Sequence, residues 1–165
     1  MDLSFSLATP AHAAELAALH NLVADDLTAR YGHGPWSAHV TERGVLFGMR
    51  HAQVVIARNG NAIVGTLNLP TKKPWAIDTT YFTAVKKALY LTSMAVVPEM
   101  QRQGIGRLLL EEAVRRARAF LVGAIRLDAF DADAGAGEFY AKCGFREVGR
   151  VVYRKSPLIY FEMVF

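Results

Sequence analysis

Residues Tyr90 to Leu110 read YLTSMAVVPEMQRQGIGRLLL. Tyr90 to Val97 is an apolar, β-branched run that predicts a central strand buried on both faces. Pro98 stops it, because a proline ring has no N–H to give to a ladder. From Gly104 to Leu121 the period changes to that of a helix. Ile105, Leu108, Leu109, Ala113, Ala117 and Phe120 fall toward one side, and Glu111–Arg115 and Glu112–Arg116 stand in the favourable i, i+4 order. Between strand and helix lies the turn Gln101-Arg102-Gln103-Gly104-Ile105-Gly106. This is an anion site in outline. Amides at a helix start have no intrahelical partner, the macrodipole favours negative charge there, and glycine lets the main chain approach phosphate oxygens. Arg102 and Arg107 add side-chain donors. A P-loop would need Lys and Ser or Thr after its last glycine, where Arg107 and Leu108 stand; a dinucleotide fingerprint would need Gly or Ala in place of Leu109. In the plainer reading the glycines only permit a tight strand-to-helix turn.

Outward from this stretch, Ala124 to Phe130 is the next strand, parallel to Tyr90–Val97 because a helical crossover joins them. Gly137 to Lys142 is a short helix closed by Gly144, and strands follow at Phe145–Tyr153 and Leu158–Phe165. Upstream, Phe5 to Ala8 is a strand, Thr9-Pro10 a cap with proline at the first helical position, and His12 to Ala29 an amphipathic helix. Arg30 to Ser37 breaks that helix, and a weaker one runs from Ala38 to Met49. Gln53–Arg58 and Ala62–Leu69 form a hairpin across Asn59-Gly60-Asn61. Pro70 to Val85 is a loop excursion whose aromatics Trp75, Tyr81 and Phe82 need somewhere to pack. There is no internal repeat or low-complexity tract. The expectation is an α/β (α+β) fold in a single domain over residues 1–165, with a mixed, mostly antiparallel sheet and helices on both faces.

A chain of 165 residues with 52% hydrophobic and 21% charged residues buries a sizeable core and is not disordered. The net charge of +4 favours an anionic partner. No run of like charges marks nucleic acid; the densest basic cluster, Arg115, Arg116 and Arg118, is interleaved with a helical pattern. One cysteine, Cys143, excludes an internal disulfide and any multi-cysteine zinc site, and the five histidines show no metal-ligand spacing, so no metal is inferred. The start at Met1-Asp2-Leu3-Ser4 lacks the features of a secretory signal, and no segment approaches the ~20 apolar residues of a bilayer span. The expected location is cytoplasmic, with no membrane partner.

The turn Gln101, Gly104, Gly106 resembles the signature of the GNAT superfamily of acetyl-coenzyme A dependent N-acyltransferases: Gln or Arg, two residues, Gly, one residue, Gly or Ala. Met94-Ala95-Val96-Val97-Pro98 at the strand end and Glu138-Phe139-Tyr140-Ala141-Lys142-Cys143-Gly144-Phe145 downstream are similar to further segments of that family. The resemblance spans about Tyr90 to Arg146 and implies a sheet splayed between its fourth and fifth strands, Tyr90–Val97 and Ala124–Phe130. It implies that Met94, Ala95 and Val96 bind the pantetheine arm of acetyl-CoA through their backbone, as an added strand would. It also implies that Gln101, Arg102, Gln103, Gly104, Ile105, Gly106 and Arg107 cradle the pyrophosphate, with a backbone N–H near Met94 polarising the thioester carbonyl. Tyr140 would then be the acid that protonates the departing thiolate. Without the resemblance, a tyrosine beside Phe139 is an ordinary aromatic. Asp133 stands where many members have a cofactor-contacting asparagine, and a carboxylate is unfavourable beside a polyanion unless it turns away. Asp128 is either the base that takes the amine proton or the partner of Arg126 or Arg146. Cys143 is read as a buried small side chain and not as an acyl-carrying nucleophile.

The acceptor is expected opposite the cofactor. Tyr31, His33 and Trp36 in one segment, and Trp75 and Tyr81 with Asp78 in the other, offer aromatic walls for a small amine; the bland alternative is a hydrophobic cluster sealing one end of the fold. The expected function is N-acetyl transfer from acetyl-CoA to the primary amine of a small molecule or amino acid by direct attack. Protein α-amine or lysine acetylation, a non-catalytic acyl-CoA-binding module and, more distantly, a nucleotide-binding module are the rivals. Partners expected are a small-molecule or peptide amine and no nucleic acid, with a homodimer left open.

Overall fold

The computed structural model describes residues 1–165. Strand β1 (Leu3–Leu7) leads through a short 3-10 turn at Pro10–His12 into α1 (Ala13–Tyr31). After α2 (Glu42–Met49), β2 (Ala52–Asn59) and β3 (Ala62–Pro70) form the hairpin expected across Gly60, which sits at φ +60 as a tight reversal requires. Helix α2 starts later than the sequence pattern indicates, because Thr41 accepts a hydrogen bond from the Gly44 N–H at 3.0 Å and caps it there. The segment 71–87 follows, containing a 3-10 turn at Thr79–Tyr81.

The stretch read as one strand at Tyr90–Val97 is two, β4 (Ala88–Tyr90) and β5 (Thr92–Val96). After it come α3 (Ile105–Ala119), β6 (Ala124–Phe130), α4 (Gly137–Lys142), β7 (Arg146–Tyr153) and β8 (Ser156–Val164). The strands form two sheets, ordered β1-β2-β3-β5 and β4-β6-β8-β7. β4 pairs parallel with β6 from Ala88↔Ala124 to Tyr90↔Arg126, and the Leu91 N–H still donates to the Arg126 carbonyl at 3.0 Å. Beyond that bond β5 pairs antiparallel with β3 alone. The chain crosses from one sheet to the other at Leu91, so the expected splay between Tyr90–Val97 and Ala124–Phe130 is present. It also explains why β5 is not buried on both faces: Ser93 is exposed and Met94 only half-buried, because they line the opening.

Register in β3–β5 runs Thr66↔Ala95 and Asn68↔Thr92, which sets Ser93 and Met94 together opposite Leu67. This is a β-bulge, and Ser93 takes it up at φ +53, a backbone region costly for a side chain. The alternation of β2 buries both faces of the first sheet. Val54 and Ile56 meet Leu16 and Leu19 of α1, while Val55 and Ala57 meet Leu109 and Ala113 of α3 in a core of 20 buried residues shared by both sheets. Each fully buried aliphatic of this kind contributes about 1.5–3 kcal/mol. On α3 the buried set is Ile105, Leu109, Leu110, Ala113 and Ala117; Leu108 and Phe120 are exposed, contrary to the sequence pattern. Glu112 gathers both Arg115 and Arg116 at 2.7 Å in place of two separate i, i+4 pairs. No helix is long and apolar enough to cross a membrane.

Candidate active site

A cavity of about 500 Å³ opens where the sheets part. One wall is β5, through Met94, Ala95 and Val96; another is the turn before α3, through Gln101, Arg102, Gly104, Gly106 and Arg107. A third is the segment Asp133–Ala136 with Phe139 and Tyr140 of α4. Thus most of the residues singled out as cofactor contacts surround one space. Ile105 does not: its side chain is 1% exposed, locked in the core. Gln103 points away and donates to the Glu99 carbonyl at 3.3 Å, whereas Gln101 ties the turn to β5 by donating to the Val96 carbonyl at 3.0 Å.

The two glycines have different reasons. Gly104 caps α3 at φ +88, a conformation L side chains rarely adopt, and a Cβ there would meet no protein atom within 4 Å. Gly106 has ordinary backbone, but a Cβ would come to 3.0 Å from Phe139 Cζ. The first leaves open space over the helix start; the second lets α4 approach. Arg30, Arg102, Arg107 and Lys142 face this cavity against one carboxylate, Asp133, which is exposed at the rim and free to turn to solvent. Open space over free amides and an excess of cations fit a phosphorylated, extended ligand.

Tyr140 is buried, its ring packed edge-on to Phe145 at 5.8 Å between centroids. Its hydroxyl donates to Met94 Sδ at 3.7 Å, a weak acceptor on the bulged strand across the opening. Burial, reinforced by the Asp128 charge, pushes its pKa well above that of a free phenol, so the group keeps its proton at neutral pH. Asp128 is half-buried, and desolvation raises its pKa. The ion-pair reading fails: Arg146 bonds Glu162 at 2.6 Å, and Arg126 bonds the Thr83 carbonyl at 2.9 Å and Tyr90 Oη at 3.3 Å. Asp128 stands opposite Tyr160 in the β6–β8 register. Cys143 also lines the cavity, and burial raises its thiol pKa, so it holds little thiolate.

The expected acceptor residues do not share one place. Tyr31 lines the same cavity as the glycine turn, with its neighbour Arg30 and with Leu27 and Val23 one and two turns back along α1. Those three were not singled out in the sequence, although Val23 and Leu27 lie on its apolar stripe. Trp36 packs edge-on against Phe130 at 5.9 Å, and His33 is exposed and outside the cavities described here. Trp75 and Tyr81 line a second cavity of about 660 Å³ with Asp78 and Tyr160. Trp75 is 85% exposed, so the expectation that it packs fails; Phe82 takes that role beside Ile77, Tyr90 and Tyr160.

The fold is thus two sheets opened at a parallel seam, with a glycine turn and a buried tyrosine facing one space. The chain matches the acetyltransferase (GNAT) family over residues 16–145 and belongs to it. It is therefore an acetyltransferase, of a family whose cofactor is acetyl-CoA. Among solved structures it is similar to the ribosomal-protein-alanine N-acetyltransferase of Brucella melitensis, with TM-score 0.76 and 20% identity over 98% of this chain and 99% of that one. It is similar to the ribosomal-protein-S18-alanine N-acetyltransferase of Escherichia coli, with TM-score 0.74 and 15% identity over 99% and 94%. It also resembles yncA, a putative acetyltransferase from Salmonella typhimurium solved with its cofactor acetyl-CoA, with TM-score 0.71 and 15% identity over 98% and 93%. At these identities the likeness is one of fold. No curated protein matches the chain.

Proposed function

We propose that the protein transfers an acetyl group from acetyl-CoA to a primary amine of a small molecule or amino acid by direct attack, with Tyr140 as the acid. The observation that carries this is the Tyr140 hydroxyl, protonated, buried and aimed across the opening at Met94. Acetyl-CoA supplies an activated thioester. The α3 amides at Gly104 to Gly106, with Arg102 and Arg107, hold the diphosphate; the β5 backbone from Met94 to Val96 aligns the pantetheine arm as an added strand does. Asp133 stays at the rim as an outward-turned contact.

As the amine nitrogen bonds to the acetyl carbon, the C–S bond breaks and Tyr140 gives its proton to the sulfur. Asp128 takes the proton that the nitrogen sheds, and solvent then restores both groups. The burial that raises the phenol also raises the proton affinity of a desolvated thiolate, so transfer between them stays matched. An α-amine near pKa ~8 reaches the site partly neutral. On the acceptor side, Tyr31 lines the same cavity as the glycine turn and Tyr140; Trp75 and Tyr81 line the cavity beside Tyr160; His33 and Trp36 carry less of the scheme.

The test is Tyr140→Phe. Amine-dependent thiol release should fall by about 10²–10⁴-fold while coenzyme A affinity is kept. A variant that turns over normally removes the acid role, and a parent protein that binds coenzyme A yet releases no thiol with any amine supports a non-catalytic binding module instead.

A further inference from the structure

The Met94 side chain links three elements of the donor cavity. It leaves β5 at the bulge, its sulfur accepts from the Tyr140 hydroxyl of α4 at 3.7 Å, and its methyl lies where a Cβ on Gly106 of α3 would meet it at 3.5 Å. The side chain therefore crosses the space between β5 and the two helices, which is the path assigned above to the pantetheine arm. It is only half-buried, and a methionine turns about three bonds without branching, so it can leave that path.

A phenol has one proton to donate. The Tyr140 hydroxyl gives it to Met94 Sδ and to no other protein atom. Its ring is 7% exposed and packs against Phe139, Phe145 and Phe161, whose side chains hold no acceptor. Hence a sulfur sets the direction of the O–H. The atom that Tyr140 protonates in the scheme above is also a divalent sulfur, and the two cannot hold the one O–H together. An aliphatic side chain at position 94 would fill the same space, yet it would strand a buried donor, and a stranded donor costs more than an ordinary hydrogen bond contributes.

We propose that Met94 is a positioning residue for the acid: in the empty enzyme its thioether keeps the place of the cofactor's sulfur at the Tyr140 hydroxyl, and the arriving cofactor takes that place by exchanging sulfur for sulfur. This rests on the reading of Tyr140 as the acid and of this cavity as the donor site. The exchange has two effects. It holds the O–H pointed into the cavity before the thioester arrives, so the proton need not be reoriented during the reaction. It also lowers cofactor affinity, since one hydrogen bond is given up for the one gained.

The experiment is calorimetric titration of the parent, of Met94→Leu and Met94→Gln, and of Tyr140→Phe with and without Met94→Leu. Two probes are used, coenzyme A and desulfo-coenzyme A, in which hydrogen replaces the thiol. Leucine nearly matches methionine in volume, so Met94→Leu folds. It leaves the hydroxyl without a sulfur, and coenzyme A should bind about three- to tenfold tighter, the worth of one neutral hydrogen bond, while desulfo-coenzyme A changes by less than about twofold. Met94→Gln offers an amide oxygen, a stronger acceptor at similar reach, and should do the reverse. In the Tyr140→Phe background the gain from Met94→Leu should vanish. A side chain that merely packs against the pantetheine arm would move both probes alike and ignore Tyr140. Equal changes for the two probes, weaker coenzyme A binding in Met94→Leu, or a gain that survives Tyr140→Phe would each overturn the proposal. Failure of the donor reading looks different: coenzyme A then does not bind the parent, or binds with an affinity that Gly104→Asn leaves unchanged, and the Met94 proposal falls with it.

Discussion

At Gly104 the backbone stands at φ +88 with empty space where a side chain would go, so replacement has two separable costs. A branched residue pays about 1–2 kcal/mol for the left-handed backbone alone. Asparagine tolerates that backbone, which isolates the second cost. Gly104→Asn should therefore keep an unfolding free energy, read from urea denaturation, within about 1 kcal/mol of the parent while coenzyme A affinity, read by calorimetry, falls at least tenfold. Unchanged affinity would remove the diphosphate from this turn. Gly106 is a different case: a methyl group there presses on Phe139, the neighbour of Tyr140, so Gly106→Ala should disturb the acid more than the phosphates. In sequence the two glycines are one motif. Their division of labour needs α4, which arrives from more than 30 residues away.

At the scale of elements, the segment between β3 and β4 is pinned to the second sheet by charge. Glu162, 1% exposed on β8, accepts from the Thr83 N–H at 3.0 Å, from Thr83 Oγ1 at 2.5 Å and from Arg146 Nη2 at 2.6 Å. Burial alone would raise its pKa, but these bonds from Thr83 and Arg146 hold it below the usual carboxylate value. A carboxyl group whose folded pKa is depressed stabilises above its unfolded pKa and loses that contribution as pH falls through the folded one. Stability should thus decline on acidification below the ordinary glutamate range, and Glu162→Gln should flatten that decline while costing about 1–3 kcal/mol at neutral pH, measured by urea unfolding at several pH values.

This network was illegible in the sequence because its members lie up to 79 residues apart. What was legible is local: the glycine turn, the periodic helices, the Asn-Gly hairpin. The run Leu108-Leu109-Leu110 shows the limit, since an all-apolar triplet cannot say which member faces inward; packing against β2 and β3 selects Leu109 and Leu110. Tyr90–Val97 shows another. Its composition is that of one strand, and only the choice between β6 and β3 as partner cuts it at Leu91. The acceptor side was least readable, because the aromatics that mark it in sequence are parted by the fold: Tyr31 lines the cavity of the glycine turn, while Trp75 and Tyr81 line another.

For the whole molecule, the proposed donor cavity is walled by α1, β5 and the start of α3 on one side and by residues 133–136 and α4 on the other, so a ligand there braces these elements against one another. Coenzyme A at a hundredfold over its dissociation constant should add about 2.7 kcal/mol of stability. At about 2–4 °C per kcal/mol for a chain of this size, the melting midpoint should rise by roughly 5–11 °C. A polyanion of unrelated shape, such as tripolyphosphate, should give much less, because it lacks the arm that lies along β5. Equal shifts would reduce the cavity to a charge trap.

The sheets are joined by the chain itself as it crosses at Leu91, and its anchor in the second sheet is short: Ala88 to Tyr90 against Ala124 to Arg126, and one more bond at Leu91. From that join β5 reaches Val96 five residues on, a lever arm of about 16 Å at strand rise. A twist of only ~10° at the fulcrum would therefore swing the far end by about 3 Å, the scale that separates a productive reaction geometry from an idle one. Leu89 and Ile125, paired at the fulcrum and outside the cavity's walls, hold the calibration of an aperture they never see.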